Sequence, residues 1–281
     1  MKFLGAGVVA LALLTSGCAP TATALPDDVS VSVFQTRFDY GIRQLELKVS
    51  NGTDEPLTIT RAALESSRFA SDAVWDRPQV IPPGAARDLK VLLAPPVCDG
   101  LEPTDVVALD FTLATGETGS ARVVPADESS RLDAISAEDC LSMSVAQHAA
   151  IEAPSVVDWM PGAHAPATIN FTVEPTSATG SITIHFVTGT VLLSLVDPSG
   201  NPVYQEDVEL EIDASTQATV IPVRLIPNRC DPHAIAEDKR GTFFAFDVST
   251  TDGTAGRLFI AVSDDVRASL YDFYADYCGL P

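Results

Sequence analysis

Basic residues are scarce in this chain of 281 residues, which has 17 Lys and Arg against 38 Asp and Glu and a net charge of −21. Such an excess of negative charge repels phosphate backbones and anionic lipid headgroups. We therefore expect no nucleic acid partner and no electrostatic attraction to an acidic membrane surface. Hydrophobic residues are plentiful, at 46% of the chain, which excludes wholesale disorder and predicts a folded protein.

Catalytic sequence signatures are also absent. The chain has no Gly-x-Ser-x-Gly or Ser-x-x-Lys motif, no His-Glu-x-x-His motif, no EF-hand loop and no phosphate-binding glycine loop followed by a helix. Adjacent acids such as Glu138-Asp139 and Asp264-Asp265 are expected in so acidic a chain, and they are typical of solvated surfaces or helix caps. We therefore predict that the protein is not an enzyme and uses no cofactor.

The N-terminus has the pattern of an export signal. The apolar run from Phe3 to Leu14 follows Lys2 and, at about 12 residues, is too short to span a bilayer. It leads into "LLTSGC", which resembles the lipobox of bacterial lipoproteins, whose cysteine becomes residue one and carries lipid. We therefore predict a signal peptide over residues 1–17 and lipidation of Cys18, which holds the protein on the extracytoplasmic face of the cell membrane.

Ordinary secretion is a second interpretation of the same region. Ala22-Thr23-Ala24 fits the small-x-small rule, and cleavage after Ala24 discards Cys18 and releases the protein. Under the lipoprotein interpretation, residues 18–28 are rich in Ala, Thr, Pro and Asp and form a flexible tether between the lipid and the folded part. Both interpretations place the protein outside the cytoplasm.

Four further cysteines lie at positions 98, 140, 230 and 278. An even number in an exported chain predicts two disulfide bonds, for which there are three possible pairings. An internal repeat favours one pairing, because three blocks recur in the same order with both cysteines in register. The matching blocks are Leu89–Asp99 with Ile221–Asp231, Ala108–Gly119 with Ala245–Gly256, and Leu132–Cys140 with Leu270–Cys278. Each repeat closes its own loop when the bonds are Cys98–Cys140 and Cys230–Cys278.

The interior of each repeat has the pattern of short strands. Leu45, Leu47 and Val49 alternate with polar residues ahead of a turn at 51–54, and a second strand is predicted from Leu57. In the second repeat Ile182 and Ile184 alternate in the same way, and Pro and Gly clusters interrupt the chain at short intervals. The sequence therefore predicts an all-β fold of two tandem immunoglobulin-like β-sandwich domains, residues 29–141 and 142–281. The Cys–Trp–Cys spacing of antibody domains is absent, so the prediction concerns the architecture alone.

A short helix is predicted at the end of each domain. In the second domain Ser263 is placed to cap a helix that has Val266 and Leu270 on one face. The first domain has a shorter counterpart, marked by Leu132 and Ile135. The predicted disulfide bonds attach each helix to its own domain.

As a whole the chain resembles the uncharacterised two-domain lipoproteins of high-GC Gram-positive bacteria. The lipobox, the repeated Ala-acid-x-Cys ending and the segment "VSNGTDEPLTI" carry the resemblance, which covers nearly all of the mature chain. It implies a location and an architecture, and no biochemical activity. We therefore expect a non-enzymatic, lipid-anchored surface protein that binds or scaffolds an extracytoplasmic protein or envelope ligand.

One cluster suggests a different function. Met143, His148, Met160 and His164 fall within a single segment between the two repeats. Thioether and imidazole ligands suit copper, so copper binding is the alternative function. The competing interpretation is a junction segment whose Met residues and Trp159 fill the core while its His residues face solvent.

Overall fold

The computed structural model describes residues 23–36, 38–98, 102–176, 179–231, 233–237 and 242–280. The predicted signal peptide, Cys18 and the start of the tether lie outside the described residues. The described chain is mostly strand. Its elements are β1 (Val29–Phe34), β2 (Gln44–Asn51), β3 (Leu57–Ser66), β4 (Ala73–Trp75), β5 (Gln79–Ile81), β6 (Ala86–Leu92), β7 (Asp105–Thr112), β8 (Thr118–Val123), α1 (Arg131–His148), β9 (Ala149–Glu152), β10 (Val157–Asp158), β11 (Ala167–Pro175), β12 (Ser181–Thr188), β13 (Leu193–Val196), β14 (Pro202–Val203), β15 (Gln205–Asp213), β16 (Thr219–Pro227), α2 (Ala234–Glu237), β17 (Phe243–Thr250), β18 (Ala255–Ala261) and α3 (Asp264–Cys278).

The N-terminal half, β1 to β8, is a β-sandwich of two antiparallel sheets. One sheet has the order β1-β2-β6, and the other has the order β4-β3-β7-β8 with β5 also paired to β3. The predicted strands over Leu45–Val49 and from Leu57 are confirmed as β2 and β3, with their alternate residues buried. These two strands belong to different sheets, so the loop between them crosses the sandwich and does not close a hairpin.

A buried asparagine holds this crossing in place. The side-chain amide of Asn51 donates to the carbonyl oxygens of Glu55 at 2.8 Å and Ile81 at 3.0 Å. Its side-chain oxygen accepts from the backbone N–H of Thr53 at 3.1 Å. These bonds satisfy polar groups that the crossing loop buries between the sheets.

The C-terminal half, β9 to α3, repeats the order of the central strands, has different edge strands and adds one hairpin. Its sheets are β10-β11-β16-β13-β14, with β9 on β11, and β15-β12-β17-β18. Strands β11, β16, β12, β17 and β18 therefore correspond to β2, β6, β3, β7 and β8. The recurring blocks Ala108–Gly119 and Ala245–Gly256 both form hairpins, β7–β8 and β17–β18. The addition is the β13–β14 hairpin, which pairs with the free edge of β16.

The helix at the C-terminus matches its prediction. The side chain of Ser263 accepts from the backbone N–H of Val266, and α3 buries Val266, Leu270, Phe273 and Tyr274 against the core of the C-terminal half. The cap satisfies one of the N–H groups that the first helical turn leaves without an intrahelical partner. An apolar stripe at helical spacing explains why this element was visible in the sequence.

The helix between the halves differs from its prediction. We expected a short helix, whereas α1 has 18 residues and is longer than α3, which has 15. Its first turns bury Leu132 and Ile135 in the N-terminal core, and its later turns bury Leu141 and Val145 in the C-terminal core. Leu141 and Val145 lie one turn apart on the side of α1 opposite Leu132, so the helix continues past Cys140 with a second apolar face that packs on a different core. The predicted domain boundary at 141–142 therefore falls within a helix that both cores share.

Side-chain contacts also attach α1 to the C-terminal half. Ser144 donates a hydrogen bond of 2.8 Å to Asp252 in the turn between β17 and β18. The pKa of Asp252 is lowered well below its ordinary value because its carboxylate accepts hydrogen bonds from the Thr250 hydroxyl, the Thr254 backbone N–H and Ser144. The ionised carboxylate of Asp252 is therefore part of the contact between α1 and the C-terminal sandwich.

Each half contains one disulfide bond. The Cys98–Cys140 and Cys230–Cys278 bonds have Cα–Cα distances of 5.6 Å and 5.2 Å. Each bond joins the segment after β6 or β16 to the helix that follows the sandwich of the same half. Disulfide bonds indicate an extracytoplasmic protein. Among the described residues, no helix has the length and apolar character to cross a membrane.

Candidate functional site

A cleft of about 680 Å³ lies on the outer face of the β15-β12-β17-β18 sheet. Its walls are the loop from Thr188 to Val191, the β13–β14 hairpin with Tyr204, and Asn228 and Arg229 after β16. Its size lies within the range of small-molecule binding sites. The hairpin that the N-terminal half lacks therefore forms part of this cleft.

Strand alternation supplies the apolar floor of the cleft. Successive residues of a strand face opposite sides of the sheet. Phe244 and Phe246 of β17 thus pack inward against Phe171, with ring centroids 5.5 Å and 4.8 Å away. Phe243 of β17 and Phe259 of β18 point to the outer face and line the cleft. The same aromatic run in the sequence therefore builds both the core and the site.

The rim of the cleft is apolar and accessible. Val191 is 57% exposed and Tyr204 is 63% exposed, although both are large side chains that proteins usually cover at least in part. Tyr204 is fixed through its backbone, since its carbonyl oxygen accepts from the N–H of Gly189 at 2.8 Å. A ligand in the cleft can therefore pack against ordered apolar surface.

The two charged side chains in the described lining of the cleft are positive. Among the described residues of its lining, Arg229 and Arg257 are the charged side chains, and none is a carboxylate. Arg229 has its Nε 3.9 Å from Asp231. Arg257 lies opposite Asp247 in the β17–β18 ladder but forms no ion pair with a described carboxylate. In a chain with more than twice as many acids as bases, this is an unusual local balance.

Most neutral polar groups of the cleft are engaged in holding its walls. The Thr190 hydroxyl accepts from the backbone N–H groups of Leu192 at 3.2 Å and Leu193 at 3.0 Å. Ser194 donates to the side-chain oxygen of Asn228 at 2.9 Å. The Thr190 bonds order the β12–β13 loop, and the Ser194 bond joins β13 to the segment after β16. The walls of the cleft are therefore held by hydrogen bonds within the protein.

A smaller cavity of about 70 Å³ lies between the halves and shares Phe243 and Phe259 with the cleft. The charged side chains that line this cavity form ion pairs with one another. Arg43 forms an ion pair with Asp139, and Arg131 lies 3.6 Å from Glu138. This cavity is therefore a joint whose charges are neutralised, in contrast to the cleft.

The predicted metal ligands have separate environments. Met143 has its sulfur 3.8 Å from Cys98 Sγ, and His164 has Nδ1 3.1 Å from the carbonyl oxygen of Tyr277. His148 is buried at the end of α1, and Met160 is exposed. The structure thus does not bring these four side chains to one centre. Within the described part of the chain, no group of three His, Cys, Asp or Glu side chains is arranged to hold a metal ion.

The described lining of the cleft also contains no His, Cys, Asp or Glu. A hydroxyl nucleophile such as Ser194 has no general base beside it there, and its hydroxyl hydrogen is already donated to Asn228. The arrangement suits binding by charge and apolar contact. Sequence reasoning missed the cleft because Arg229, Phe243, Arg257 and their neighbours come from four segments whose proximity depends on the sheet register.

No protein-family model matches the chain, and no curated protein matches it. Similar solved structures include a red sea bream transglutaminase, with 9% identity, coverage of 85% of this chain and 32% of that one, and a TM-score of 0.25. The BSP domain of a biofilm-associated protein gives 9% identity, 92% and 63% coverage, and a TM-score of 0.23. The CBD12 structure from CALX1.2 gives 12% identity, 73% coverage of each chain, and a TM-score of 0.20. The chain thus spans a minor part of the transglutaminase, and at these TM-scores the likenesses carry no argument about function.

Proposed function

We propose that this chain is a non-enzymatic, extracytoplasmic binding module whose ligand occupies the cleft of the C-terminal half. This proposal rests on a cleft with an apolar floor, two arginines and hydrogen-bonded walls. Among the described residues of its lining, no nucleophile lies beside a general base. Binding sites of this kind use apolar surface for affinity and a few polar groups for orientation. The ligand is an envelope component or an extracytoplasmic protein segment, and the net charge of −21 disfavours nucleic acid.

We further propose that the two halves are tandem immunoglobulin-like domains held at the membrane by a lipid on Cys18. The repeated strand order, with a disulfide bond in each half, supports the tandem arrangement. The lipobox-like sequence and the resemblance to two-domain lipoproteins of high-GC Gram-positive bacteria support the anchor. In this arrangement the tether is shorter than residues 18–28, because Leu25 packs against the N-terminal core and Thr23 forms a bridge with Gly119.

The anchor is tested by replacing the cysteine that would carry the lipid. We expect Cys18→Ser to move the folded protein from the membrane fraction to the soluble, non-acylated fraction. Thr21→Ser, which changes a residue after the lipobox and leaves every cysteine in place, is the control and should leave acylation unchanged. An unaltered membrane fraction after Cys18→Ser contradicts the anchor and favours secretion after Ala24.

Binding at the cleft is tested by locating ligands irrespective of their chemistry. A fragment library with anionic, cationic and neutral members is screened against the isotope-labelled full-length chain by NMR. We expect the shift changes of the hits to concentrate at Gly189, Tyr204, Arg257 and Phe259. Hits that spread evenly over both halves, or that concentrate on the N-terminal sandwich, contradict the assignment of the binding face.

A further inference from the structure

The polar groups of the cleft differ in their availability to a ligand. Thr190, Ser194 and Asn228 already make the hydrogen bonds that hold the walls. By contrast, Arg257 and the exposed phenol of Tyr204 make no side-chain hydrogen bond within the described residues. The groups left to a ligand are therefore a guanidinium and a phenol, and not a set of neutral amides and hydroxyls.

A guanidinium restricts the chemistry of its partner. It offers five N–H donors and no acceptor, and it is charged at every accessible pH. The complementary group is a planar or tetrahedral anion, such as a carboxylate or phosphate, which accepts two parallel hydrogen bonds. Acidic groups more than about 8 Å away are largely screened at physiological ionic strength, so the charge preference of the cleft depends on its own arginines and on the nearest acids, Asp231 and Asp247. Of these groups the two arginines line the cleft, and the two acids do not.

The rest of the cleft selects an apolar body. Phe243, Phe259, Val191 and the ring of Tyr204 surround the space beside Arg257. A polyhydroxylated neutral ligand buried here needs hydrogen-bond partners that the engaged wall residues do not supply. A flat aromatic or aliphatic group needs none and packs directly on the rings.

We infer that the cleft binds amphiphilic anions, with a carboxylate or phosphate against Arg257 and an apolar body over Tyr204 and Phe259. This inference rests on the proposed function, because it specifies the ligand class of the same cleft. It is separable from that function, since ligands that bind the cleft without any charge preference refute the inference and leave the binding face intact.

Three probes with one apolar body test the charge preference. Phenylacetate, 2-phenylethanol and 2-phenylethylammonium are titrated into the full-length chain, and binding is followed by the NMR shifts of cleft residues. We expect phenylacetate to bind about tenfold more tightly than the alcohol, which corresponds to about 1.4 kcal/mol, and the ammonium to bind most weakly. Equal affinities, or a preference for the ammonium, overturn the inference.

Matched variants assign the preference to the arginine. Arg257→Gln should lower phenylacetate affinity about tenfold and change 2-phenylethanol affinity less than about twofold. Arg122→Gln is the control, because Arg122 lies on β8, the counterpart of β18, and faces outward on the other sandwich. Arg257→Lys keeps the charge and should retain part of the affinity, which separates a charge effect from misfolding. An Arg257→Gln chain that binds phenylacetate as well as the native chain overturns the inference.

Two sources share this ligand chemistry, soluble organic acids and lipids with an anionic headgroup. Vesicles of phosphatidylglycerol and of phosphatidylcholine are compared as competitors of phenylacetate. Displacement by phosphatidylglycerol alone identifies the lipid source, and phenylacetate binding that survives both vesicles identifies the soluble source. Equal displacement by both vesicles contradicts the requirement for an anion.

Discussion

The two sandwiches have one strand order and different surfaces. On the N-terminal half the outward Arg122 of β8 forms an ion pair with Glu65 of β3, and the outward Asp110 of β7 accepts from Ser120. On the C-terminal half Arg257 of β18 has no such carboxylate partner among the described residues, and it faces a cleft. The two halves therefore share their central strands and core, and they differ in the added hairpin and in the charges on the outer face.

The segment that differs lies between β3 and β6 in the N-terminal half and between β12 and β16 in the C-terminal half. In the N-terminal half it forms β4 and β5, which both pair back onto β3. In the C-terminal half it first forms the β13–β14 hairpin, whose β13 pairs onto β16 of the opposite sheet, and then β15, which pairs back onto β12. This hairpin widens the sheet that contains β16 by two strands and supplies a wall of the cleft.

Of the changes predicted here, removing a disulfide bond should lower the free energy of unfolding most. The loss should be similar in the two halves. The closed loops have sequence separations of 42 and 48, so the chain-entropy model gives roughly 4 kcal/mol for each. We expect Cys98→Ser with Cys140→Ser, and Cys230→Ser with Cys278→Ser, to lower the free energy of unfolding of the affected half by similar amounts. Denaturant unfolding followed by half-resolved hydrogen exchange measures this, and a loss in one half alone breaks the equivalence.

Shortening apolar side chains on α1 should affect the two halves selectively. Leu132 and Leu141 are both buried, in the N-terminal and C-terminal cores respectively. We expect each Leu→Ala change to cost about 2–5 kcal/mol, because it leaves a cavity. Hydrogen exchange should show Leu132→Ala weakening the N-terminal sandwich and Leu141→Ala the C-terminal one. If both changes weaken the same half, α1 is not shared between the cores.

Lowering the pH should have opposite effects on the contributions of Glu46 and Asp252 to the stability of their respective halves. Burial and the nearby Asp39 raise the pKa of Glu46, which is 2% exposed on β2 and has one carboxylate oxygen without a hydrogen-bond partner. A raised folded-state pKa favours folding below the ordinary value of 4.5, and this contribution is lost as pH rises through the folded value. The lowered pKa of Asp252 stabilises the fold above 3.8, and this contribution is lost as pH falls.

The pH prediction is checked with two neutral variants. Relative to the native chain, Glu46→Gln should gain stability as pH rises above 4.5, because the native chain then buries a charge. Asp252→Asn should be destabilised at pH 7, and its difference from the native chain should shrink below pH 3.8. Both effects are expected to be smaller than the two above. Stability differences that do not vary between pH 3 and 7 contradict the assigned pKa directions.

The sequence predicted the features that depend on local pattern. Alternation identified β2, β3 and β12, and the cap at Ser263 with its apolar stripe identified α3. The repeat indicated equivalent hairpins because strand and turn residues recur at equal spacing. The length of α1 was underestimated, since Leu141 and Val145 belong to a face whose partner is a different core from that of Leu132.

The cleft depends on pairing that no local pattern records. Arg257 and Phe259 face outward because β18 pairs with β17 in a register that puts Leu258 inside. A shift of one residue reverses both faces of the strand. The proximity of Arg229 and Tyr204 depends in turn on β13 joining β16. The sequence therefore contained the residues of the site, and the sheet topology brings them together.

The central claim is that the C-terminal cleft, and not its counterpart surface on the N-terminal sandwich, is the binding face. A crystal structure of the mature chain with phenylacetate tests this directly. We predict the carboxylate within hydrogen-bond distance of Arg257 and the ring against Tyr204 and Phe259. A ligand that occupies the N-terminal sandwich near Arg122 and leaves the cleft empty would contradict the claim.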